Sequence, residues 1–268
     1  MKWFWLVLLP LTLCALDKEP WLGNLWEFEL DTAYTYSRYS KVANAKKPLK
    51  HSSNDQLIYV DFAVSPTPNS QVDIDLELAN TPRRPWGFQS SGIQYRTLWL
   101  DDVIGDPVSL TTGVSLRGVN HHSLQDVSCP YHSYLNAEIN VSVGKETEAV
   151  PFWNTRTFLF AALGMANRGA PWARARLAFE KNDQDRHQWE LFAEGYVGFG
   201  HHRSVDIGHF DGYASIRHRS LDLGSAYRHR FTIWGTISFE YACRIYARSF
   251  PEKVNFFTVR YQLPFSLF

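Results

Sequence analysis

The segment Gln71–Leu78 alternates strictly between polar and aliphatic residues. One side of an extended chain would carry only aliphatic side chains and the other side a row of polar, mostly acidic ones: Val72, Ile74, Leu76 and Leu78 against Gln71, Asp73, Asp75 and Glu77. Because the side chains of a β-strand point alternately to its two faces, the pattern predicts a strand with one apolar and one acidic face.

The same alternation recurs along most of the chain. Further strands are predicted near residues 21–39, 56–65, 92–100, 108–118, 135–143, 152–165, 171–180, 188–200, 213–223, 232–246 and 256–268. Strands of about ten residues without a helical period are typical of a barrel that spans an outer membrane, whereas strands of soluble proteins average about five or six residues. We therefore predict an all-β fold, a transmembrane antiparallel up-and-down β-barrel of about 12 strands; 10 or 14 strands would also satisfy even parity.

The lengths of the connections support this fold. Long polar connections near 41–55, 119–132 and 201–211 alternate with short ones near 66–69, 102–107 and 181–185. A barrel with short turns at one end and longer loops at the other has this parity.

The first residues have the composition of a secretory signal peptide. Lys2 supplies a positive charge, Trp3–Leu13 forms an apolar run too short to span a bilayer, and Ala15 is a small residue suited to cleavage. Cys14 raises the alternative of lipidation, which Leu13 beside it disfavours. We predict a signal peptide over 1–15, a single barrel domain over 16–268, and export to the cell outer membrane.

Composition limits the classes of function. The formal net charge of zero gives no electrostatic reason to expect nucleic acid as a partner. Aromatic residues make up 15% of the chain and predict two girdles at the membrane interfaces, formed by Trp26, Phe28, Trp86, Phe88, Trp99, Phe152, Trp153, Trp172, Trp189 and Trp234. Cys129 and Cys243 form no disulfide framework, and a bridge between them or to another chain both stay open.

Charged side chains on the polar faces would line the lumen. The predicted selectivity residues are an acidic wall from the first strands and arginines from those that follow: Glu27, Glu29, Asp31, Asp61, Asp73, Asp75 and Glu77, then Arg96, Arg117, Arg156, Arg174, Arg176, Arg244 and Arg260. If the acidic and the basic residues formed opposite walls of a pore, they would create an electric field across it that selects solutes by charge. Ion pairs that plug a narrow interior are the alternative.

Two histidine pairs raise the question of catalysis. His121 and His122 precede Ser123, and His201 and His202 precede Ser204, which suggests a barrel lipid hydrolase. A nucleophile and its base must touch, adjacent loop residues rarely do, and no G-x-S-x-G motif is present. No metal-ligand spacing accompanies the pairs. We therefore predict no catalytic residue, metal or cofactor, and no enzyme activity.

The last strand, Phe256–Phe268, alternates and stops on an aromatic residue. It resembles the C-terminal strand of Gram-negative outer-membrane β-barrel proteins, which implies outer-membrane lipid and the barrel assembly machinery as partners, the latter through the strand ending at Phe268. Pro264 breaks the alternating phase, and a bulge there would restore it. The segments Glu19–Asn24 and Gly105–Leu110 are similar to uncharacterised outer-membrane proteins of chlamydia-like bacteria.

The function predicted from the sequence is a porin-like passive channel for small hydrophilic solutes. A plugged structural barrel, a surface adhesin acting through its outer loops, a lipid hydrolase and a soluble periplasmic β-sandwich or lipocalin-like binder are the alternatives. Oligomers are compatible with all of them.

Overall fold

Twelve antiparallel strands close into a barrel in which neighbours along the chain are neighbours in the sheet. The computed structural model describes residues 18–150, 153–183, 186–231 and 234–265, and for residues 148–150 it describes the backbone alone. The strands are β1 (Phe28–Tyr39), β2 (Ser53–Thr67), β3 (Ser70–Thr81), β4 (Arg84–Leu100), β5 (Ser109–Val119), β6 (Leu135–Val150), β7 (Trp153–Ala166), β8 (Trp172–Asp183), β9 (His187–Gly198), β10 (Arg219–Phe231), β11 (Gly235–Arg248) and β12 (Asn255–Phe265). The predicted fold class and strand number are confirmed.

The barrel closes where β1 pairs with β12. Their register runs without a shift from Phe28 opposite Phe265 to Arg38 opposite Asn255. The bulge expected at Pro264 is therefore wrong. On its other side β12 pairs with β11 only as far as Gln262, so Pro264 lies where the strand has one partner, a position that tolerates proline. Phe268 lies outside the described residues.

The predicted faces of β3 are confirmed. Ile74 and Leu76 are 53% and 40% exposed on the outside, whereas Asp73 and Glu77 are fully buried in the lumen. The same alternation places Ile93, Tyr95 and Val114 on the outer surface. An apolar band thus surrounds a polar interior, as a membrane-spanning barrel requires.

The aromatic girdles are partly as predicted. Near the ends of their strands Trp86, Trp99, Trp153, Trp189 and Trp234 are exposed on the outer surface or in a turn, at 45% or more. The assignment of Trp172 was wrong: it is buried, and its indole Nε1 donates to Glu138 Oε1 over 2.7 Å. Phe152 lies outside the described residues.

The two ends of the barrel differ. At one end, called the turn end below, β1 begins and β12 ends. The strands are connected there by short segments such as 68–69 and 101–108. The other, the loop end, carries the longest connections, 120–134 and 199–218. None of the helices in the described part of the chain has the length and hydrophobicity needed to cross a bilayer.

The connections at the loop end pack on one another into a loop cap, formed by residues 40–52, 120–134, 199–218 and 249–254. It has its own hydrophobic core of Tyr39, Val42, Val127, Val205, Phe210, Tyr213, Ile216, Phe250 and Val254. Gly212 has a φ of 80°, and a Cβ there would lie 2.4 Å from the carbonyl oxygen of His132, so this turn requires glycine. The loop cap covers the mouth of the lumen.

The outward position of Ile74 makes a test of the membrane-facing surface. Ile74→Arg should lower the free energy of unfolding by about 2–4 kcal/mol, because a charge near the bilayer midplane must leave water. Ile74→Leu, which keeps the surface apolar, is the control. Urea titration of the barrel folded into lipid vesicles measures both, and equal stability of the two variants would contradict the lipid-facing assignment.

Candidate functional site in the lumen

The acidic face of β3 meets arginines from the two strands that follow. Arg117 Nη2 lies 2.7 Å from Asp75 Oδ2, and Arg117 Nη1 lies 3.5 Å from Glu77 Oε1. Arg96 Nε lies 3.8 Å from Asp73 Oδ2. All five side chains are buried, and each carboxylate lies within 4 Å of an arginine, with Arg117 shared by Asp75 and Glu77.

A second set of ion pairs lines β6, β8, β9, β10 and β11. Arg174 Nη2 lies 2.7 Å from Glu138 Oε2, and Arg244 Nε lies 2.7 Å from Asp222 Oδ1. Arg176 Nη2 lies 2.5 Å from Glu190 Oε1. The carboxylates of these pairs are absent from the predicted set, although each lies on the inward side of an alternating strand.

Arg228 of β10 connects several of these groups and was also missed. Its guanidinium lies 2.7 Å from Glu190 Oε2, 3.1 Å from Glu19 Oε1 and 3.3 Å from Glu180 Oε1. The alternation along β10 could have identified Arg228 as a lumen residue, because it follows Asp222 by six positions and therefore lies on the same face of the strand.

The other predicted lumen residues lie around these two sets. Arg260 Nη1 lies 3.1 Å from Asp31 Oδ2, Arg156 Nε lies 2.6 Å from Glu146 Oε2, and Gln262 Nε2 donates to Glu29 Oε1 over 2.5 Å. Asp61 is buried, whereas Glu27 lies at the turn end beside Asn24. Acidic and basic side chains are therefore interleaved around the lumen, in place of two separated walls.

Residues Lys18–Trp21, here called the plug segment, lie inside the barrel. Lys18 Nζ forms an ion pair of 2.7 Å with Glu194 Oε2 of β9. Arg96 Nη1 donates to the carbonyl oxygen of Glu19 over 2.7 Å, and Thr111 Oγ1 donates to that of Pro20 over 2.5 Å. The plug segment thus bonds to opposite walls, which no local pattern in the sequence predicts.

Trp21 anchors the plug segment near the turn end. Its Nε1 donates to Asp102 Oδ1 over 3.0 Å, and its ring meets Phe158 edge to face at 6.2 Å between centroids. The Arg156 guanidinium lies 4.7 Å above the indole, a cation–π contact. A Cβ at Gly144 would lie 2.7 Å from Pro20 Cγ and 3.0 Å from Trp21 Cη2, so the wall needs glycine to admit this segment.

A cavity of about 240 Å³ remains between the plug segment and the loop cap. Its wall combines charged with aromatic side chains, among them Glu19, Arg174, Arg176, Phe192, Glu240 and Phe256. A space of this size holds several waters or one small polar solute.

His132 lines the cavity at its loop end and contacts a second histidine, His218. His132, from the 120–134 connection, stacks on Trp172 with centroids 4.0 Å apart, and the Tyr196 hydroxyl lies 3.1 Å from its Nδ1. His218, at the end of the 199–218 connection, stacks on Phe250. The two Nε2 atoms lie 3.2 Å apart. The pair therefore joins two separate parts of the loop cap.

Both imidazoles are held neutral. Burial lowers the pKa of His132 well below its ordinary value, and the neighbouring His218 adds to this. Burial also lowers the pKa of His218 to about 3, with the Arg244 guanidinium acting in the same direction. If both histidines were protonated, two positive charges would lie about 3 Å apart in a buried site, which is unfavourable.

The residues considered for hydrolysis lie in other environments. Ser123 is buried and its hydroxyl bonds to Arg84 Nη1 and to the carbonyl oxygen of Phe88. His121 bonds through Nδ1 to the Tyr134 hydroxyl. Within the residues that the structure describes, no group of three or more His, Cys, Asp or Glu side chains is placed to hold a metal ion.

The two cysteines of the barrel do not bond to each other. Cys129 is buried in the loop cap beside Val119 and Leu124, and Cys243 lies on the outward face of β11 opposite Leu223. One cysteine is therefore in the interior of the loop cap and the other on the outer wall of the barrel.

Comparison with solved structures finds outer-membrane β-barrels of similar fold. The chain is similar to an outer-membrane channel from Pseudomonas putida F1, with a TM-score of 0.61 and 11% identity over 95% of this chain and 100% of that one. It is also similar to the NanC porin (TM-score 0.55, 8% identity, 87% and 97% covered) and to the KdgM porin in complex with disordered oligogalacturonate (TM-score 0.51, 6% identity, 88% and 99% covered).

No protein-family model and no curated protein matches the sequence. The similarity to solved structures therefore concerns the fold, which is that of Gram-negative outer-membrane β-barrels.

The histidine pair predicts an acid-sensitive loop cap. Because the unfolded cap binds protons near pH ~6.5 and the folded one does not, the cap should lose stability as the pH falls from ~6.5 towards the lowered pKa values. In a Cys243→Ser background, labelling of buried Cys129 by an acid-active disulfide reagent should be several-fold faster at pH 4 than at pH 7, after normalisation to an unfolded reference.

His218→Gln is the control for this experiment. The variant removes one titrating group, so its labelling at pH 4 should rise less, relative to pH 7, than that of the parent chain. An identical acid response in both proteins would mean that the histidine pair does not control the loop cap.

Proposed function

We propose that this chain is a passive porin-like channel of the outer membrane for small hydrophilic solutes, and that it is closed in the conformation described here. The observation that carries the proposal is the charged cavity inside a closed 12-strand barrel, bounded by the plug segment at one end and the loop cap at the other. Three structures of similar fold are named as channels or porins, which supports the same class of function.

The bonds of the plug segment suit a reversible closure. Lys18 and Glu19 are held by ion pairs to Glu194 and Arg228, and the carbonyls of the segment accept hydrogen bonds from the wall. Water can replace these polar partners when a solute path opens, whereas the contact of Trp21 with Phe158 is apolar and would keep that end of the segment anchored near the turn end.

Selectivity in this proposal comes from the inward charges. The arginines and carboxylates listed above for the lumen would attract a solute with charges of its own, and Glu240 faces the cavity without an ion pair to any described residue. The proposal extends to a charged polar solute no larger than a monosaccharide, because the cavity is about 240 Å³.

Location and partners follow from the same proposal. We propose export through the signal peptide over 1–15, residence in outer-membrane lipid, and assembly through the C-terminal strand that ends at Phe268. The relation to chlamydia-like bacteria stays a prediction. No catalytic role enters the proposal, because the Ser123 hydroxyl is engaged by Arg84 and Phe88.

A plugged structural barrel, or a surface adhesin that acts through its outer loops, is the second candidate. The extent of ion pairing across the lumen and the packed core of the loop cap favour it, since small barrels fill their interior in this way. Ion flux separates this candidate from a channel.

Conductance in a planar bilayer tests the proposed channel. The mature chain should show brief openings from a mostly closed state. Lys18→Gln with Glu19→Gln removes two ion pairs of the plug segment and should raise the open probability about tenfold, which corresponds to ~1.4 kcal/mol. Lys181→Gln, which removes a cation that lies over the exposed Trp153 ring on the outer wall, away from the plug segment and the loop cap, is the control and should leave the openings unchanged.

The absence of conductance from both the mature chain and the plug variant, with heat-modifiable migration showing that both are folded, would contradict the channel and leave the plugged barrel. Equal conductance of the two would mean that a channel exists but that the plug segment does not close it.

A further inference from the structure

Five cations lie together on one side of the loop end. This basic arc consists of Arg38, Arg217, Arg219, Arg248 and Lys253, on or beside the consecutive wall strands β10, β11, β12 and β1. Four of the five side chains are exposed, and Arg248 is half-buried. None forms an ion pair with another described residue, although ion pairs are frequent elsewhere in this chain.

The centre of the basic arc is a pair of like charges on neighbouring strands. Arg219 of β10 and Arg248 of β11 are register partners, so both side chains leave the same face of the sheet. Arg219 continues the outward row of Leu221 and Leu223, which places this face outside the barrel. Like charges directly opposite each other destabilise a sheet unless an anion lies between them.

Carboxylates close to the basic arc are already used. Glu252 lies 2.6 Å from Lys41, and in the adjoining connection Asp206 lies 3.1 Å from Lys46. On the other outward flank, Arg38 faces Asn255, which is neutral. An anion from outside the chain is therefore needed to neutralise the arc.

The height of the basic arc on the wall identifies the kind of anion. Directly below it the outward surface is aromatic and aliphatic, with Tyr246, Ile245 and Tyr241 exposed at 50%, 55% and 41%. Aromatic residues of this kind mark the level of lipid headgroups, so cations one step beyond them lie at the level of lipid phosphates.

The opposite side of the barrel lacks such a surface. The outward positions nearest the loop end of β4, β6 and β7 are apolar, occupied by Trp86, Leu135 and Met165 at 46%, 50% and 67% exposure. Two of the cations there are directed elsewhere, since Arg84 donates to the carbonyl oxygen of Phe88 and Arg168 pairs with Asp211, and Arg83 is exposed but has no cationic register partner. The basic arc is therefore a one-sided feature and not a ring that follows from the membrane alone.

We propose that the basic arc binds the phosphate groups of a phosphorylated glycolipid in the leaflet that surrounds the loop end. Arginine suits this ligand, because its planar guanidinium bonds to two phosphate oxygens at once. One phosphate between Arg219 and Arg248 removes their repulsion, and Arg38 and Lys253 extend the surface to a second headgroup. The inference requires the membrane location and is independent of channel activity.

The test uses the mature chain in phosphatidylcholine nanodiscs with a small fraction of lipid A, a glycolipid with two phosphates. Native mass spectrometry counts the lipid A molecules retained by the barrel. Arg219→Gln with Arg248→Gln should lower retention about 25-fold, because each cation near an anionic lipid surface strengthens binding about fivefold. Arg83→Gln with Lys47→Gln removes two exposed cations of the loop end outside the arc and should retain lipid A like the parent chain.

Dephosphorylated lipid A should be retained no better by the parent chain than by the arc variant. Equal retention of lipid A by the two double variants would overturn the proposal, as would equal retention of the phosphorylated and dephosphorylated lipids. Capture of a soluble acidic polysaccharide through Arg219 and Arg248, with no preference for lipid A, would assign the surface to a different partner and also overturn it. Arc-dependent dimers without retained lipid would do the same. Heat-modifiable migration shows that each variant is folded.

Discussion

A sheet that crosses a lipid bilayer must bond its first strand to its last, because hydrocarbon offers no partner to an open edge. In this protein β1 and β12 meet in a register of eleven consecutive residue pairs, from Phe28 opposite Phe265 to Arg38 opposite Asn255. Closure fixes the inside and the outside of every strand at once. The alternation of each strand then separates an apolar surface for lipid from a polar lumen, and the remaining features of the molecule follow from that separation.

A narrow polar lumen concentrates charge in a space with little water. Such charges are stable only when they are paired, and here Arg117 bonds to Asp75, Arg174 to Glu138 and Arg228 to three carboxylates. The plug segment enters this network through the same chemistry, with Lys18 on Glu194 and Glu19 on Arg228. The wall and the plug segment are therefore one electrostatic system. In the proposed channel, a charged solute would compete with the plug segment for the same partners.

The two ends of the barrel solve different problems. At the turn end the connections are short, and Asp102 in one of them receives Trp21 of the plug segment. At the loop end the long connections form a packed core of their own and bring His132 against His218 above the cavity. The basic arc lies on the outer side of that same end, which is why the proposed partner of its cations is an anionic lipid headgroup.

The alternating pattern of the sequence predicts the strands, their approximate number and many of the residues that face inward, because a period of two is a local property that each strand displays independently. Trp172 is an example. It lies on the same face of its strand as Arg174 and Arg176, so the alternation alone predicts that it faces the lumen. The girdle prediction for Trp172 relied on its aromatic character instead and was wrong. Only the tertiary structure decided which arginine meets which carboxylate, since the partners come from neighbouring strands whose register depends on closure. The plug segment was equally hidden, because Lys18–Trp21 has no periodicity and its position is set by contacts with residues 77 to 209 positions away in the chain.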